Sequence, residues 1–533
     1  MDRRTFLSTS TATFAMLALP AALRAQGAKG APAVFRWTPQ SDLTLLDPMF
    51  TTASITQNHA QLVFDTLYGQ DAKYQPHPQM ADGHVVENDG LVWKITLREG
   101  LKFHDGSPVR AQDAVASLTR WAKKDLMGRT LMQSTESLTA LDDKTLQFKL
   151  KKPFPLLLAA ISRQSGSMAC IMPEKLANTP DNEPIKQMIG SGPFRFKAEQ
   201  WVSGSRVVYE KFDGYVPRKD TMKPAFTAGP KVAHVNGVVW SIIADKATQI
   251  AALQANEVDG VENVDNDFLP ILQNDTNIQL VKRSLPNIPI LRFNHLHAPF
   301  NNPAMRRAIL GAINQTEFMT AMNGSQFPEF WNDKCGLFVP GSPMDTRAGM
   351  EKLTAKRDLN KVRADIKAAG YDGTTIVILD PVDFAIYHAA ALVTADLFTK
   401  LGLKVDLQAM DWGTAIQRRN NQDAPSAGGW SVAFTGITGS NNLDPAGHLA
   451  LRGNGKQAWF GWPTSEKIEQ LRTQWFDAPD VAAQKKICEA IQLQAFEDVP
   501  YIPLGAIYPV SALRKEWVDF QEQMPLFFTV KKA

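Results

Sequence analysis

A run of carboxylates is the first group in this sequence whose spacing could support chemistry. The residues follow a predicted helix at 247–254 and are Glu257, Asp259, Glu262 and Asp265. Paired carboxylates can act as general acid and base, and carboxylate oxygens can bind Ca²⁺. No partner base stands near them and their spacing is not that of a calcium loop, so we interpret the group as a solvated rim.

Other reactive motifs are weak or missing. Gly190-Ser191-Gly192 could form an anion-binding nest, but neither GKS nor GxGxxG follows, so these glycines indicate a backbone crossing. The sequence has no Gly-x-Ser-x-Gly elbow, no HExxH and no redox fingerprint. We therefore expect no cofactor and no catalysis.

Three cysteines lie far apart in the chain, at Cys170, Cys335 and Cys488. They form no CxxC pair and have no His/Cys partner at zinc spacing. In an oxidising compartment one pair could bridge and leave one thiol over. Three buried, reduced cysteines are an equally good interpretation.

Length and composition indicate a large soluble protein. A chain of 533 residues is too long for one ordinary core, so two or three domains are expected. Apolar residues make up 44% and charged residues 21%, which is ordinary for a globular protein. The net charge of +3 gives no support to nucleic-acid binding.

Residues 1–25 are typical of a cleavable export signal. Arg3-Arg4 is followed by Thr-Phe-Leu and then by an apolar run at 14–23, which is shorter than the ~20 residues that span a bilayer. The motif resembles that of twin-arginine export, with cleavage near Ala25. No cysteine follows to carry a lipid, so we expect a soluble periplasmic protein without stable membrane insertion.

The elements that could position a site are clearest between Leu91 and Trp121. Apolar residues alternate from Leu91 to Leu97, which predicts a strand with one buried face. Gly100 interrupts this strand, and His104-Asp105-Gly106-Ser107-Pro108 predicts a turn. Helical spacing then continues to Trp121, so the segment is predicted as strand, loop and helix.

This segment, LREGLKFHDGSPVRAQDAVASLTRW, resembles the characteristic segment of the family 5 (peptide/nickel-type) extracellular solute-binding proteins of ABC importers. These receptors are related to the dipeptide- and oligopeptide-binding proteins. The resemblance implies an α/β fold of the type II, large cluster C-like class of periplasmic binding proteins. Such a fold has two lobes, an extra subdomain in lobe one, and two hinge crossings.

The resemblance also divides the chain. Lobe one is expected at residues 26–65 and 190–285, its extra subdomain at 66–189, lobe two at 286–499, and a return to lobe one at 500–533. The crossings are expected within Leu285–Phe300 and Val499–Leu504. Within lobe two, a strand, helix and strand at residues 375–379, 388–401 and 404–407 predict a parallel unit.

Ligand-binding residues are implied at two places in the chain. In lobe one, the loop after Asp47-Pro48 lines the cleft of the relatives, which makes Phe50, Thr51, Thr52 and Ala53 candidates, with core packing the alternative for Phe50. In lobe two, an acidic residue of the dipeptide-binding relatives holds the peptide amino terminus. This sequence departs from them there, because Gly436-Ile437-Thr438-Gly439, just after Thr435, stands where the acidic residue is expected, although Asp444 lies close by.

The sequence departs from those relatives where an arginine would bind the peptide carboxylate. The chain has Asp380-Pro381-Val382-Asp383-Phe384 there, with no arginine until Arg418. A charge-assisted bond to a carboxylate is stronger than a neutral one, so its loss argues against an ordinary dipeptide. Asp383 would attract a cation or hydroxyls, or it caps the following helix.

Aromatic residues near these positions could form the walls of a site. Tyr387 starts the predicted helix, Trp412 follows the next strand, and Trp430 precedes the Thr435–Thr438 segment. Aromatic faces bury ligand surface and can hold a cation. Core packing is an equally good interpretation of both tryptophans.

These features predict a monomeric periplasmic receptor without a cofactor. It would capture a small peptide or peptide-like solute between its lobes and deliver it to inner-membrane permease subunits. Within this class, an opine or other amine, an oligosaccharide and a metal chelate remain open as ligands. An exported hydrolase and a peptide-holding chaperone are alternatives from other classes.

Overall fold

The structure is a computed structural model that describes residues 33–164, 166–219 and 222–533. The predicted export signal, residues 1–25, lies outside the described residues. Among the residues described, we find no helix with the length and apolar character that a membrane span requires.

Sheet one has parallel pairing at its centre. Val34–Thr38 runs parallel to strands on both sides, and its Phe35 and Trp37 side chains are fully buried. In spatial order its seven strands are Phe194–Phe196, Arg206–Lys211, Gly237–Ser241, Val34–Thr38, Gly260–Val261, Val510–Arg514 and Ile278–Lys282.

Sheet two is built around the strand Asn287–Phe293, which pairs antiparallel with Val432–Thr438 over its whole length. In spatial order it contains Trp331–Asn332, Ala506–Ile507, Asn287–Phe293, Val432–Thr438, Ile376–Pro381 and Val405–Met410, with Ile502–Pro503 also paired to Asn287–Phe293.

The chain passes from sheet one to sheet two through Arg283–Pro286 and returns through Tyr508–Pro509. The first passage starts before the predicted crossing, because most of the PNIPILRF segment is a strand of sheet two. The return comes later than the predicted Val499–Leu504. Ile502–Pro503 and Ala506–Ile507 still pair with sheet two, so this stretch belongs to the second lobe.

The predicted strand, loop and helix between Leu91 and Trp121 are confirmed as Val92–Leu97 and Ala111–Lys124. Ile95 and Leu97 are buried and Thr96 is exposed, as the alternation requires. The strand belongs to a four-stranded antiparallel sheet with Ala81–Glu87, Thr145–Leu150 and Thr135–Ala140.

The parallel unit of lobe two is also confirmed. Ile376–Pro381 and Val405–Met410 pair in parallel, and the helix Ala385–Lys400 connects them. Because Val432–Thr438 runs parallel to Ile376–Pro381, all three strands end at one edge of sheet two. In open α/β sheets, ligands bind outside such carboxyl ends.

Gly190 and Gly192 lie where the chain crosses another backbone. A Cβ at Gly190 would come 2.0 Å from the Val63 carbonyl oxygen, and one at Gly192 would come 2.6 Å from that of Leu62. The N–H of Gly192 donates to the Val63 carbonyl at 2.9 Å. The prediction of a backbone crossing at these glycines is confirmed.

The remaining elements surround these sheets. Two-stranded pairs are formed by Asp65–Thr66 with Cys170–Ile171, Tyr68–Gln70 with Pro76–Pro78, and Trp517–Val518 with Lys531–Lys532. The other helices are Ser54–Val63, Leu126–Gln133, Leu157–Ser162, Glu174–Ala177, Lys246–Gln254, Leu269–Gln273, Pro303–Leu310, Gln315–Asn323, Glu351–Thr354, Leu359–Ala368, Trp412–Arg418, Glu466–Phe476 and Val481–Asp498. Cys170, Cys335 and Cys488 are buried free thiols, in agreement with the reduced interpretation.

Candidate functional site

A cleft of about 980 Å³, partly open to solvent, lies where the chain passes between the two sheets. Residues of both passages line it, together with residues of both lobes. The lining residues are Gln40, Thr52, Ser54, Gln57, Asn58, Tyr74, Gln164, Gly166, Phe226, Asn263, Arg283, Leu285, Asn287, Thr438, Gly439, Ser440, Asn441, Leu443, Pro509, Gln523 and Met524.

Side-chain amides are the most frequent group in this lining. Each amide offers both hydrogen-bond donors and an acceptor, which is also what a peptide group offers. Tyr74 and Phe226 add aromatic surface, and Arg283 is the charged residue among the described lining residues. The cleft therefore suits a polar solute that is rich in amide or hydroxyl groups.

The charge of Arg283 is compensated inside the protein. Its Nη1 lies 3.1 Å from Oε1 of Glu262, whose side chain is fully buried. Glu262 also accepts hydrogen bonds from Asn58 Nδ2 at 3.3 Å and from the Gln40 N–H at 3.0 Å. This group, Gln40, Asn58, Glu262 and Arg283, is called the Glu262 network below.

The network corrects one expectation from the sequence. Glu262 and Asp259 are buried, and Asp259 pairs with Arg36 at 2.7 Å, so neither carboxylate belongs to a solvated rim. Both flank Gly260–Val261, an inner strand of sheet one, and the sheet covers them. Glu257 and Asp265 are exposed, as predicted.

Two buried polar atoms of residues lining the cleft have no protein partner. Arg283 Nε and Asn263 Oδ1 make no hydrogen bond within the described residues. An unpaired buried donor or acceptor costs free energy. A solute that bonded to them would remove that cost, so they are candidate contacts.

Of the predicted loop in lobe one, Thr52 lines the cleft. Phe50 is 37% exposed and lies under the Lys124 ammonium, 4.9 Å from the ring centroid. The Thr51 hydroxyl accepts the Ala53 N–H. Phe50, Thr51 and Ala53 are thus not among the described lining residues.

The helix that follows this loop contributes contacts that the sequence analysis missed. Ser54, Gln57 and Asn58 of the helix Ser54–Val63 line the cleft. Their spacing of three and four residues places them on one helix face. Three polar residues at helical spacing, next to the predicted loop, are the signal that the sequence offers.

In lobe two, Thr438 lines the cleft, while Thr435 and Gly436 face other partners. The Thr435 hydroxyl accepts a hydrogen bond from Arg419 Nη1 at 3.2 Å. A Cβ at Gly436 would come 2.6 Å from the Tyr387 hydroxyl oxygen, so this position keeps room for that hydroxyl. Burial raises the pKa of Tyr387 to about 12.

Two of the three predicted aromatic residues of lobe two, Tyr387 and Trp412, form a cluster with Phe384 at the carboxyl edge of sheet two. The rings of Phe384 and Tyr387 lie 4.6 Å apart, and that of Trp412 lies 5.0 Å from Tyr387. Asp383 does not cap the helix Ala385–Lys400, because Phe384 holds the N-cap position. Its Oδ1 instead accepts a hydrogen bond from the backbone N–H of Trp412 at 2.7 Å. Asp383 therefore fixes the position of Trp412.

Arg419 lies against this cluster and was not predicted. Its guanidinium carbon is 4.5 Å from the ring centroid of Phe460, 5.6 Å from that of Trp412 and 5.9 Å from that of Trp459. Burial lowers the pKa of Arg419 below its usual value. We call Arg419 with Trp412, Thr435, Trp459 and Phe460 the Arg419 pocket.

Two further predicted residues have protein partners instead of facing the cleft. Trp430 is fully buried against Phe460 and Trp462, so it belongs to the core that supports the Arg419 pocket. Asp444 binds Nη1 of Arg163, a residue of the first lobe, at 2.7 Å. The negative charge of Asp444 is therefore already balanced by an arginine of the other lobe.

Comparison with known proteins identifies the family of this chain and several of its relatives. Residues 75–459 match the family described as bacterial extracellular solute-binding proteins, family 5 Middle. A probable peptide ABC transporter periplasmic-binding protein, y4tO of Sinorhizobium fredii, is 33% identical over 537 residues and covers 100% of both chains. The glutathione-binding protein GsiB of Pectobacterium atrosepticum is 26% identical over 92% of each chain.

A solved structure shares the fold. The dipeptide-binding protein of Pseudoalteromonas sp. SM9913, solved with Met-Leu, superimposes with a TM-score of 0.75 over 94% of this chain and 100% of that one. Its sequence identity is 18%, so the likeness speaks for the two-lobed architecture alone.

Proposed function

Because the chain belongs to the bacterial extracellular solute-binding proteins of family 5, we propose that it captures a small peptide or peptide-like solute and delivers it to the inner-membrane permease of an ABC importer. The observation that carries the proposal is the cleft at the passages between the two sheets, lined by amides of both lobes. No bond of the solute needs to change in this role.

Ligand capture would work through closure of the lobes. Thr52, Ser54 and Asn58 contribute from lobe one, and Thr438 and Asn441 contribute from lobe two. A solute that touches both sets gains contacts only when the lobes meet, so it stabilises the closed state by that difference in binding free energy. The permease would then recognise the closed form.

The peptide assignment rests on two supports. The relative y4tO is named for peptide transport and GsiB for glutathione binding. Side-chain amides in the cleft match the hydrogen-bonding groups of a peptide backbone. We further propose a monomer in the periplasm, exported through the twin-arginine signal at residues 1–25.

Native mass spectrometry of the protein purified from a periplasm tests the proposal directly. We expect a bound mass that matches a small peptide and is released unchanged on denaturation. Calorimetry with the recovered molecule should give weaker binding for Asn441→Ala, in the cleft, and unchanged binding for Asn274→Ala, which is exposed outside it. A chemically altered product would instead identify an enzyme.

A further inference from the structure

Arg419 is a partly buried cation without a counter-charge. Other buried arginines of the described residues have acidic partners, as Arg120 has in Asp47 at 2.8 Å, or donate to several carbonyl groups, as Arg292 does. Arg419 donates one hydrogen bond, to the neutral hydroxyl of Thr435. No described carboxylate pairs with it, although burial disfavours its charge.

The surroundings of Arg419 leave most of its donors without a protein partner among the described residues. Phe460, Trp412 and Trp459 lie against the guanidinium, and aromatic faces attract it without using its N–H groups. Arg419 Nε is buried and has no hydrogen-bond partner within the described residues. A guanidinium has five donors in one plane, in a fork that matches a carboxylate.

The Arg419 pocket lies within reach of the cleft. Thr435 contacts Arg419, and Thr438, three residues further along the same strand, lines the cleft. At ~3.3 Å per residue these positions are about 10 Å apart along the strand, and their side chains lie on opposite faces of the sheet, so a bound peptide would pass around the carboxyl end of this strand. A peptide of a few residues spans that distance, so one end can occupy the cleft while an acidic group reaches Arg419.

We propose that Arg419 binds a carboxylate of the captured solute, so that the receptor selects anionic peptides or peptide-like acids. The inference rests on the proposed function and adds the charge class of the ligand. It also accounts for the loop Asp380–Phe384, which carries no arginine: the carboxylate is held from the helix that follows the neighbouring strand. Asp383 acts in this site by positioning Trp412, one wall of the pocket.

The test uses a synthetic library of dipeptides to tetrapeptides in which each acid has a neutral twin. One arm pairs a free carboxyl terminus with a carboxyl-terminal amide, and the other pairs Glu with Gln in the side chains. The library is incubated with the protein, unbound peptide is washed away, and retained peptides are released and quantified by mass spectrometry. The arm that shows enrichment identifies which carboxylate Arg419 binds.

For the wild-type protein we expect acids to be enriched over their twins by about ten-fold or more in at least one arm, as for a charge-assisted bond. Arg419→Gln should reduce the ratio towards one, and Arg419→Lys, which keeps the charge without the fork, should give an intermediate ratio. Arg418→Gln is the matched control, because Arg418 donates only to the carbonyls of Gly428 and Gly429. This variant should keep the full ratio.

The outcomes separate this inference from the proposed function. Peptides retained without a preference for acids, or a preference that survives in Arg419→Gln, would overturn the inference and leave the peptide receptor standing. Retention of no peptide by the wild type would overturn both. If Arg419→Gln is unfolded by circular dichroism, Arg419→Met, which keeps an apolar stem without the charge, replaces it: a ratio equal to that of wild type assigns Arg419 to packing alone.

Discussion

Arg283, which lines the cleft, and Arg419, in the second lobe, differ in their partners. Arg283, at the passage out of sheet one, is neutralised by the buried carboxylate of Glu262. Arg419, in the second lobe, lies on aromatic rings and bonds a hydroxyl. The first arginine is part of a finished internal network, whereas the second still lacks a counter-ion. On the proposal that Arg419 binds a carboxylate, lobe one supplies a preformed neutral surface and lobe two supplies selection by charge.

The two faces also differ in what holds them in place. The lobe one face is fixed by hydrogen bonds, because Glu262 binds Gln40, Asn58 and Arg283 together. The lobe two face is fixed by packing of Phe384, Tyr387 and Trp412, with Asp383 as one polar anchor. Substitutions in the first face should therefore act on stability, and those in the second on ligand choice.

Glu262→Gln should have the largest effect. Removing the carboxylate leaves Arg283 as a partly buried charge without its partner, and breaking such a pair costs about 3–5 kcal/mol. We expect the free energy of unfolding in urea to fall by about that amount. The exposed neighbour Glu257→Gln is the matched control and should change it by less than about 0.5 kcal/mol. Equal stabilities for the two variants would mean that the Glu262 network does not hold the lobe one face.

The sequence predicted the elements better than the partners. Alternation from Leu91 to Leu97 and the strand, helix and strand of lobe two were sufficient because local periodicity reports which face is buried. Local sequence predicts a rim position for Glu262 because its burial depends on a strand at residues 510–514, far away in the chain. Local sequence contains no information about that pairing.

The candidate site shows the same limit. Thr52 and Thr438 were predicted and line the cleft, whereas Arg419 was overlooked because its neighbours Phe460 and Thr435 come from other elements. Residue type alone predicts the same role for Trp430 and Trp412, yet Trp430 is fully buried and Trp412 is half-buried. Residue type predicts what a side chain can bind, and tertiary packing decides whether it is accessible.

Acid should lower the stability of both lobes through the same mechanism. The two lobes should therefore differ in how they bind the ligand and not in how their stability depends on pH. Burial lowers the pKa of His59 in lobe one and of His448 in lobe two to about 3, so both are neutral when folded. Unfolded histidine has a pKa near ~6.5, so the unfolded chain binds protons first as the pH falls. Stability is therefore full above pH ~6.5 and is lost below it, by about 3 kcal/mol per histidine at pH 4.

Urea unfolding at pH 7 and at pH 4 measures this loss. His448→Gln removes one of the buried histidines that titrate in this range, so its stability should fall by about 3 kcal/mol less than that of wild type between the two pH values. His59→Gln should behave in the same way, because its side chain is equally buried. A wild-type loss that neither variant reduces would show that other groups govern the acid response.

Asp383→Ala should weaken ligand binding with little effect on folding. The exposed carboxylate accepts the Trp412 N–H at the start of a helix, and losing such a bond costs about 1 kcal/mol. Affinity should fall about five-fold in calorimetry. Asp383→Asn keeps an acceptor oxygen and should restore most of it, which a direct contact between this carboxylate and a cationic ligand would not allow. Unchanged affinity in Asp383→Ala would remove Asp383 from the site.

The smallest effect should come from the ion pair that joins the two faces, Arg163 with Asp444. The pair is mostly buried, and Gly447 leaves room for it, since a Cβ there would come 2.6 Å from Arg163 Nη2. Its bond exists only when the lobes are together, so Asp444→Asn should favour the open form of the ligand-free protein by about 1 kcal/mol.

Small-angle scattering of the ligand-free protein reads out this shift as a larger radius of gyration. Lys152→Gln is the control, because Lys152 and Asp477 also join the two lobes but are well exposed, and such pairs contribute little. If Asp444→Asn alone expands, the partly buried pair helps to close the lobes before any ligand binds. If neither variant expands, closure depends on the ligand; if both expand, the exposed pair contributes to closure as much as the partly buried one does.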